Sequence, residues 1–364
     1  MCPFKIEVSE RTRKALMQNF LKGVNLGGWL SQYAAYDHEH FRTFITRRDI
    51  QLIASWGLDH VRLPVDYPVI ESDDAIGAAR EDGYVYIDRC IEWCADAGLA
   101  LILDLHEAPG FTFRNDLEEG DAAGNTLFTD TDAQDRFVAL WETIVRRYAD
   151  AAVPIVFELL NEVTLPDNGP WNALASRTVA AIRAISPDAI VMIGGTHNNA
   201  VSGLDGLVEI DDPNVVYTFH TYEPLYFTHQ NAPWAAGPRE WGGAPKYPGY
   251  LEGLGEWLAV NPQHNQFGDE RVDLRMDREL LADVVAPAVA FARRTGHQIY
   301  CGEFGVADWV DPASRRAWLG DFLGLLREQG VGFGLWTYKA MDFGLVDLHG
   351  EVVDPGYLAI LRGE

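Results

Sequence analysis

Two glutamates, Glu162 and Glu303, stand at the ends of apolar runs, where a carboxylate needs a chemical reason. The first closes Val153-Pro154-Ile155-Val156-Phe157-Glu158-Leu159-Leu160-Asn161-Glu162, and the second closes Gln298-Ile299-Tyr300-Cys301-Gly302-Glu303. A run of this kind reads as a buried parallel strand whose last residues emerge into a polar site. Other apolar runs end in or beside Arg62, His106, His197, His220, Tyr222 and Trp336. Two carboxyls facing one bond suit glycoside hydrolysis: one protonates the leaving oxygen while the other attacks carbon or activates water. Asn161 then has the chemistry to hold a sugar 2-hydroxyl, Arg62 to keep a carboxylate ionised, and Tyr222 to hydrogen-bond the nucleophile. Trp336 offers a flat apolar face to a pyranose ring. Taken singly, each has an ordinary structural explanation, since a lone strand-end histidine is usually a hydrogen-bonded structural residue and a lone tryptophan is usually core.

The elements that must position these residues alternate throughout. Strands are expected at Lys22–Leu26, His60–Val65, Leu99–His106, the Val153–Glu162 run, Ala189–Ile193, Val215–His220, Gln298–Glu303 and Gly332–Trp336. Helices are expected near Arg47–Trp56 behind the N-cap Thr46, Tyr86–Ala97 before Gly98, and Asp132–Tyr148. Further helices are expected near Trp171–Ile185, Glu279–Thr295, Ser314–Glu328 and Tyr357–Leu361. Eight such units predict an α/β fold, a (β/α)8 TIM barrel spanning 1–364 as one catalytic domain, with the strand-end residues gathered on one rim. The long loop after strand six, about 223–275, is the one irregular stretch whose length calls for a function. It carries Tyr226, Phe227, Trp234, Trp241, Tyr247, Tyr250 and Trp257, suited to stacking sugar rings or to packing the loop on the barrel.

Composition narrows the classes. With 48% hydrophobic residues among 364, the chain can bury a large core. The net charge of −25 argues against nucleic acid or an anionic membrane as partner and fits a neutral ligand such as sugar. Met1 to Glu7 lacks the basic start and apolar stretch of a secretory signal, which predicts a cytoplasmic location. Cys2, Cys90, Cys94 and Cys301 are too scattered for a disulfide framework, and Cys90 and Cys94 are expected in the core. His38-Glu39-His40 has metal-ligand residue types, but consecutive loop residues rarely converge on one ion, so no metal is expected. Asp342-Phe343-Gly344 lacks the context of a kinase motif. Glu158 shares the inward parity of Leu160 and Glu162 and is expected to be a buried structural partner. Lys339 is placed either to donate to a sugar hydroxyl or to remain a solvated loop lysine.

From Gly23-Val24-Asn25-Leu26-Gly27-Gly28-Trp29 to Trp336, the chain resembles glycoside hydrolase family 5. The resemblance rests on the Asn161-Glu162 pair, Gly302-Glu303-Phe304-Gly305, Arg62, His106, His220, Tyr222 and Trp336; Val163 stands where many members have Pro. It implies that Glu162 is the acid/base and Glu303 the nucleophile of a retaining double displacement without cofactor. Arg62, His106, Asn161, His220, Tyr222 and Trp336 are then substrate-binding residues, and Asn25, Trp29, Asp66, His197, Trp234 and Lys339 are further candidates. Repulsion between carboxylates roughly 5 Å apart is expected to keep Glu162 protonated while Glu303 is ionised. The implied partner is an oligosaccharide or β-glycoside; the oligomeric state stays open. Because Gly23–Trp29 resembles exo-acting β-1,3-glucanases of the family, the reading is a β-glucosidase or exo-β-glucanase taking short substrates. The alternatives are an endo-β-1,4-glucanase or mannanase with an open cleft, and a catalytically silent carbohydrate-binding barrel.

Overall fold

The computed structural model describes residues 17–114, 125–265 and 273–364. Its eight barrel strands are β1 (Lys22–Asn25), β2 (His60–Asp66), β3 (Ala100–Glu107), β4 (Ile155–Glu158), β5 (Ile190–Gly194), β6 (Val215–His220), β7 (Ile299–Glu303) and β8 (Gly332–Leu335). They pair in parallel in sequence order, and β8 pairs with β1 to close the barrel. The expected (β/α)8 architecture is therefore the observed one.

Strand alternation separates two apolar layers. Ala100, Ile102, Val156, Met192, Val216 and Tyr300 point inward and, with Met17 and Phe20, fill the barrel interior. Leu101, Leu103, Phe157, Val191, Tyr217 and Cys301 point outward and pack in the larger core shared with the helices. The inward rows of β3 and β4 continue towards the carboxyl ends as Asp104 and Glu158, paired in register, so polar chemistry begins where the apolar plug stops. The alternation expected for Leu160 fails: Leu160 joins the outer core, because the ladder of β4 ends at Glu158 and the chain continues on isolated bonds from the amides of Leu159 and Asn161.

The helices are α1 (Arg47–Ser55), α2 (Glu81–Ala97), α3 (Thr131–Tyr148), α4 (Gly169–Ile185), α5 (Arg278–Thr295), α6 (Pro312–Gln329) and α7 (Pro355–Arg362). Their starts follow local chemistry. Thr46 and Asp49 form a capping box on α1, and Asp130, Asp277, Asp311 and Asp354 accept backbone N–H bonds at the starts of α3, α5, α6 and α7. Between β5 and β6 the crossover shrinks to the single turns Thr196–Asn199 and Val201–Leu204. The long segment after β6 is partly helical, with turns at Leu225–Thr228, Ala236–Trp241 and Leu254–Val260. Most of its aromatics pack at home: Tyr226 and Phe227 are buried, and Tyr226 meets Trp241 and Trp257 edge-on.

Cys90 and Cys94 are buried free thiols, as expected, and Cys2 lies outside the described residues. His38-Glu39-His40 sits on the short helix His38–Thr43, not in a loop. His38 bonds Tyr86 and His40 bonds the carbonyl of Gly28, so the two imidazoles serve different partners. Among the described residues, no helix is long and apolar enough to cross a membrane.

Candidate active site

The site is built outward from Arg62, a fully buried guanidinium on β2. Its Nε and Nη2 grip Glu158 at 2.7 and 3.1 Å, and Nη1 donates to Asn25 at 2.9 Å and to Glu303 at 2.7 Å. Nη2 also reaches Asn161 at 2.8 Å and Asp104 at 2.9 Å. Burial opposes the charge, but Asp104, Glu158 and Glu303 hold the guanidinium well above its ordinary value. Glu158 is thus the structural partner expected, while Asp104, its neighbour across the ladder, escaped the sequence reading.

Glu303 is held from both sides, by Arg62 on Oε1 and by the Tyr222 hydroxyl on Oε2 at 2.9 Å. Both of its oxygens are thereby occupied by side-chain donors. Glu162 has different company. Its Oε1 lies 2.9 Å from Nδ1 of His220, and its Oε2 accepts weakly from Asn198 at 3.5 Å. Burial pushes the Glu162 carboxyl up to about 7, although its side chain remains 15% exposed towards the cleft. The cause differs from the expected one, since Arg62 and Tyr222 compensate the charge of Glu303 and desolvation is the larger effect. One atom from each of Glu162, His220 and Glu303 falls within 4.8 Å of the others, so the two carboxyls face one another at short range. These three also have metal-ligand residue types. Both oxygens of Glu303, however, already accept from Arg62 and Tyr222, so a cation there would meet a guanidinium.

The histidines are neutral because burial lowers His106 to about 3 and His220 to about 4. Asp104 accepts from Nδ1 of His106 at 2.7 Å, which leaves Nε2 buried and unpartnered as an acceptor. The His106 ring lies parallel to Trp336, 5.9 Å between centroids and 3° between planes. Trp336 in turn rests on Gly27, where a Cβ would come within 2.7 Å of the indole. Asn161 gives its carbonyl oxygen to Arg62, so its buried Nδ2 is the free donor.

These groups line a cleft of about 560 Å³, ample for sugar rings. His106, Asn161, Glu162, Tyr222, Glu303 and Trp336 all border it, and so does Trp234 from the loop after β6. Arg62 and His220 act from just behind these side chains. The remaining candidates do not reach it. Trp29 is fully buried with its indole N–H on the carbonyl of Phe41, and Asn25 is buried with its amide on the carbonyls of Gly302 and Gly334. Asp66 is buried and accepts from the amide of Gln32. Lys339 is neither solvated nor free, since it pairs with Asp49 at 2.9 Å and donates to the carbonyl of Phe44. His197 is exposed, and its neighbour Asn198 enters instead. Asn198, Gln32, Tyr33, Phe113, Arg114, His229, Met341 and Phe343 are lining residues that strand-end reasoning missed. Asn198 and Gln32 have positive φ, and only the tolerance of Asn for that region was a readable signal.

The sequence model of the cellulases, glycosyl hydrolase family 5, matches residues 19–342. The chain belongs to glycosyl hydrolase family 5. It is 46% identical to Endoglucanase C of Acetivibrio thermocellus over 327 residues, covering 90% of this chain and 93% of that protein. It is 38% identical to Cellodextrinase A of Ruminococcus flavefaciens over 304 residues, covering 83% and 80% respectively. A structure of Thermotoga maritima Cel5A in complex with mannotriose superposes with a TM-score of 0.75 at 22% identity, covering 96% of this chain and 99% of that one, and shares the barrel. The family 5 chain is accordingly a glycoside hydrolase of the cellulase family, whose substrates are β-glucan oligosaccharides or polysaccharides. The exo-acting expectation drawn from Gly23–Trp29 fits these relatives less well than the endo-acting alternative.

Proposed function

We propose that the protein is a retaining endo-β-1,4-glucanase acting on cello-oligosaccharides and soluble β-glucan. The observation that carries the reading is the facing pair Glu162 and Glu303, close together but oppositely set. Glu303 is braced as an anion by Arg62 and Tyr222, and Glu162 is held protonated to about pH 7 by burial. In the first step Glu303 attacks the anomeric carbon while Glu162 gives its proton to the departing glycosidic oxygen. The bond to the leaving sugar breaks, and a glycosyl ester forms on Glu303. In the second step the Glu162 carboxylate takes a proton from water as the water oxygen attacks the same carbon, releasing Glu303 and restoring the proton on Glu162. Two inversions give retention. Asn161 Nδ2 is the donor for the 2-hydroxyl, and Trp336 is the face on which the ring packs.

The endo reading is supported by endoglucanase and cellodextrinase relatives matched over four fifths or more of their length. Cellopentaose labelled at its reducing end tests it. Internal cleavage to cellobiose and cellotriose, with the β-anomer formed first in the proton spectrum, is expected. Release of glucose alone, stepwise from one end, would restore the exo reading. A family 5 barrel that only binds carbohydrate would show no turnover and no loss on Glu303→Ala.

A further inference from the structure

Two tryptophans stand together at the rim, Trp234 lining the cleft and Trp309 packed against it just outside the lining. Trp234 and Trp309 are 46% and 42% exposed, more than any other tryptophan among the described residues. Their rings meet at 5.9 Å and 69°, forming an open corner, and Trp234 continues inward to Phe343 at 6.3 Å. Exposed indoles normally cost solubility, so an adjacent pair with fixed geometry calls for a ligand.

The corner is preformed. The indole N–H of Trp309 donates to the carbonyl of Gln230 at 2.7 Å, tying the segment after β7 to the one after β6. The amide of Ala307 bonds the carbonyl of Thr228, and the amide of Asp308 bonds the carbonyl of Asp342 at 2.7 Å. Three rim segments are thus knitted together, and a ligand landing there orders little that is not already ordered. Asp342 is exposed at the same rim and lines the cleft, so carboxylate oxygens that accept from hydroxyls flank the apolar faces. Aromatic faces edged by acceptors match a pyranose with equatorial hydroxyls, apolar on its faces and polar around its girdle.

Strand order gives the side. Glu162 follows β4 and Glu303 ends β7; β5 and β6 lie between them on one side of the barrel, and β8, β1, β2 and β3 on the other. The groups assigned to the sugar undergoing cleavage follow β8 (Trp336), end β3 (His106) and follow β4 (Asn161), so that sugar occupies the second side. The leaving saccharide then extends over β5 and β6, where Asn198 and Trp234 stand, and Trp309 is beyond Trp234. We propose that the Trp234–Trp309 corner is a binding subsite for a glucosyl unit of the leaving saccharide, and that it sets where along a chain the enzyme cuts.

This rests on the retaining glucanase reading above, and one experiment separates the two. β-Cellobiosyl fluoride has a glycone but a leaving group too small to touch the corner; cellopentaose spans both sides. The readout is the ratio of kcat/KM for cellopentaose to kcat/KM for the fluoride, with enzyme concentration set by titration with a 2-fluoro glycosyl trap so that only folded sites count. Trp309→Ala lowers this ratio roughly tenfold and shifts the cleavage position in cellopentaose, and Trp309→Phe recovers most of it. A Trp309→Ala ratio within twofold of the natural enzyme overturns the subsite. Failure of the natural enzyme to turn over the fluoride overturns the glucanase reading instead.

Discussion

The protonation of Glu162 is the most quantitative consequence of the site. Burial raises this carboxyl from its ordinary 4.5 to about 7, on the order of 3 kcal/mol in favour of the protonated form. For stability the sign is negative with rising pH. Between 4.5 and about 7 the folded chain keeps a proton that the unfolded chain has lost, so this group's contribution is lost across that window as pH rises. In the proposed mechanism the same proton is the one delivered to the leaving oxygen. The value of kcat/KM on cellotetraose should therefore be flat on the acid side of neutrality and fall tenfold per pH unit above about 7. Asn198→Ala removes a hydrogen bond that favours the carboxylate and moves the break upward. The decisive control is Glu162→Gln assayed on an aryl cellobioside whose leaving group needs no proton: the residual activity must lose the alkaline limb. A limb that persists in that variant, or a natural break within the ordinary carboxyl range, would refute the argument from burial.

Other consequences follow from single contacts. Tyr222→Phe removes one of the two side-chain donors on Glu303; a charge-assisted hydrogen bond of about 1.5–3 kcal/mol corresponds to roughly a tenfold to hundredfold loss in kcat/KM, with an unchanged circular dichroism spectrum. A loss below threefold would show that the hydroxyl is idle. Arg62→Met strands the buried Glu158 and Asp104 and should cost about 3–5 kcal/mol in urea unfolding, partly recovered by adding Glu158→Gln. An unchanged midpoint would contradict the charge network. Dialysis against a chelator should leave turnover intact, since the oxygens of Glu303 are already occupied by Arg62 and Tyr222; loss restored by a divalent cation would reverse that view.

Much of the fold was legible because parallel barrel strands write themselves as apolar runs with polar ends, and most of the helices as segments that start behind Asp or Thr or stop at Gly. The convergence of Glu162 and Glu303 with Arg62, Tyr222 and His220 on one rim was legible for the same reason. What failed depended on side-chain direction set by distant residues. Trp29 stands just past a strand end, but Trp93 on α2 stacks on it at 6.2 Å and turns it into core. Lys339 reads as a rim cation until Asp49 on α1 is seen beside it. Asn198 and Asp342 reach the cleft through left-handed backbone, which breaks the period-two alternation on which strand reasoning relies. The end of the β4 ladder at Glu158 does the same to Leu160.

The network around Arg62 also explains why the cleft is suited to a hydroxylated neutral ligand. A guanidinium has five N–H donors in a planar fork, and here they are shared among Glu158, Asn25, Glu303, Asn161 and Asp104. Saturating the fork fixes more than charge. Because Arg62 pins the carbonyl oxygen of Asn161, the amide can present only its NH2 to the cleft. Because Asp104 takes Nδ1 of His106, that ring presents only the bare Nε2. The floor of the site is thus one donor and one acceptor, both neutral, beside the indole of Trp336. A sugar hydroxyl both donates and accepts a hydrogen bond, so it can satisfy Asn161 Nδ2 and His106 Nε2 without leaving either buried atom unpaired. Lysine at position 62 would keep the charge and lose the fork, freeing the Asn161 amide to turn over and the Asp104 carboxylate to drift. The orientation of the Asn161 amide therefore rests on the planarity of Arg62, a residue buried behind the cleft lining.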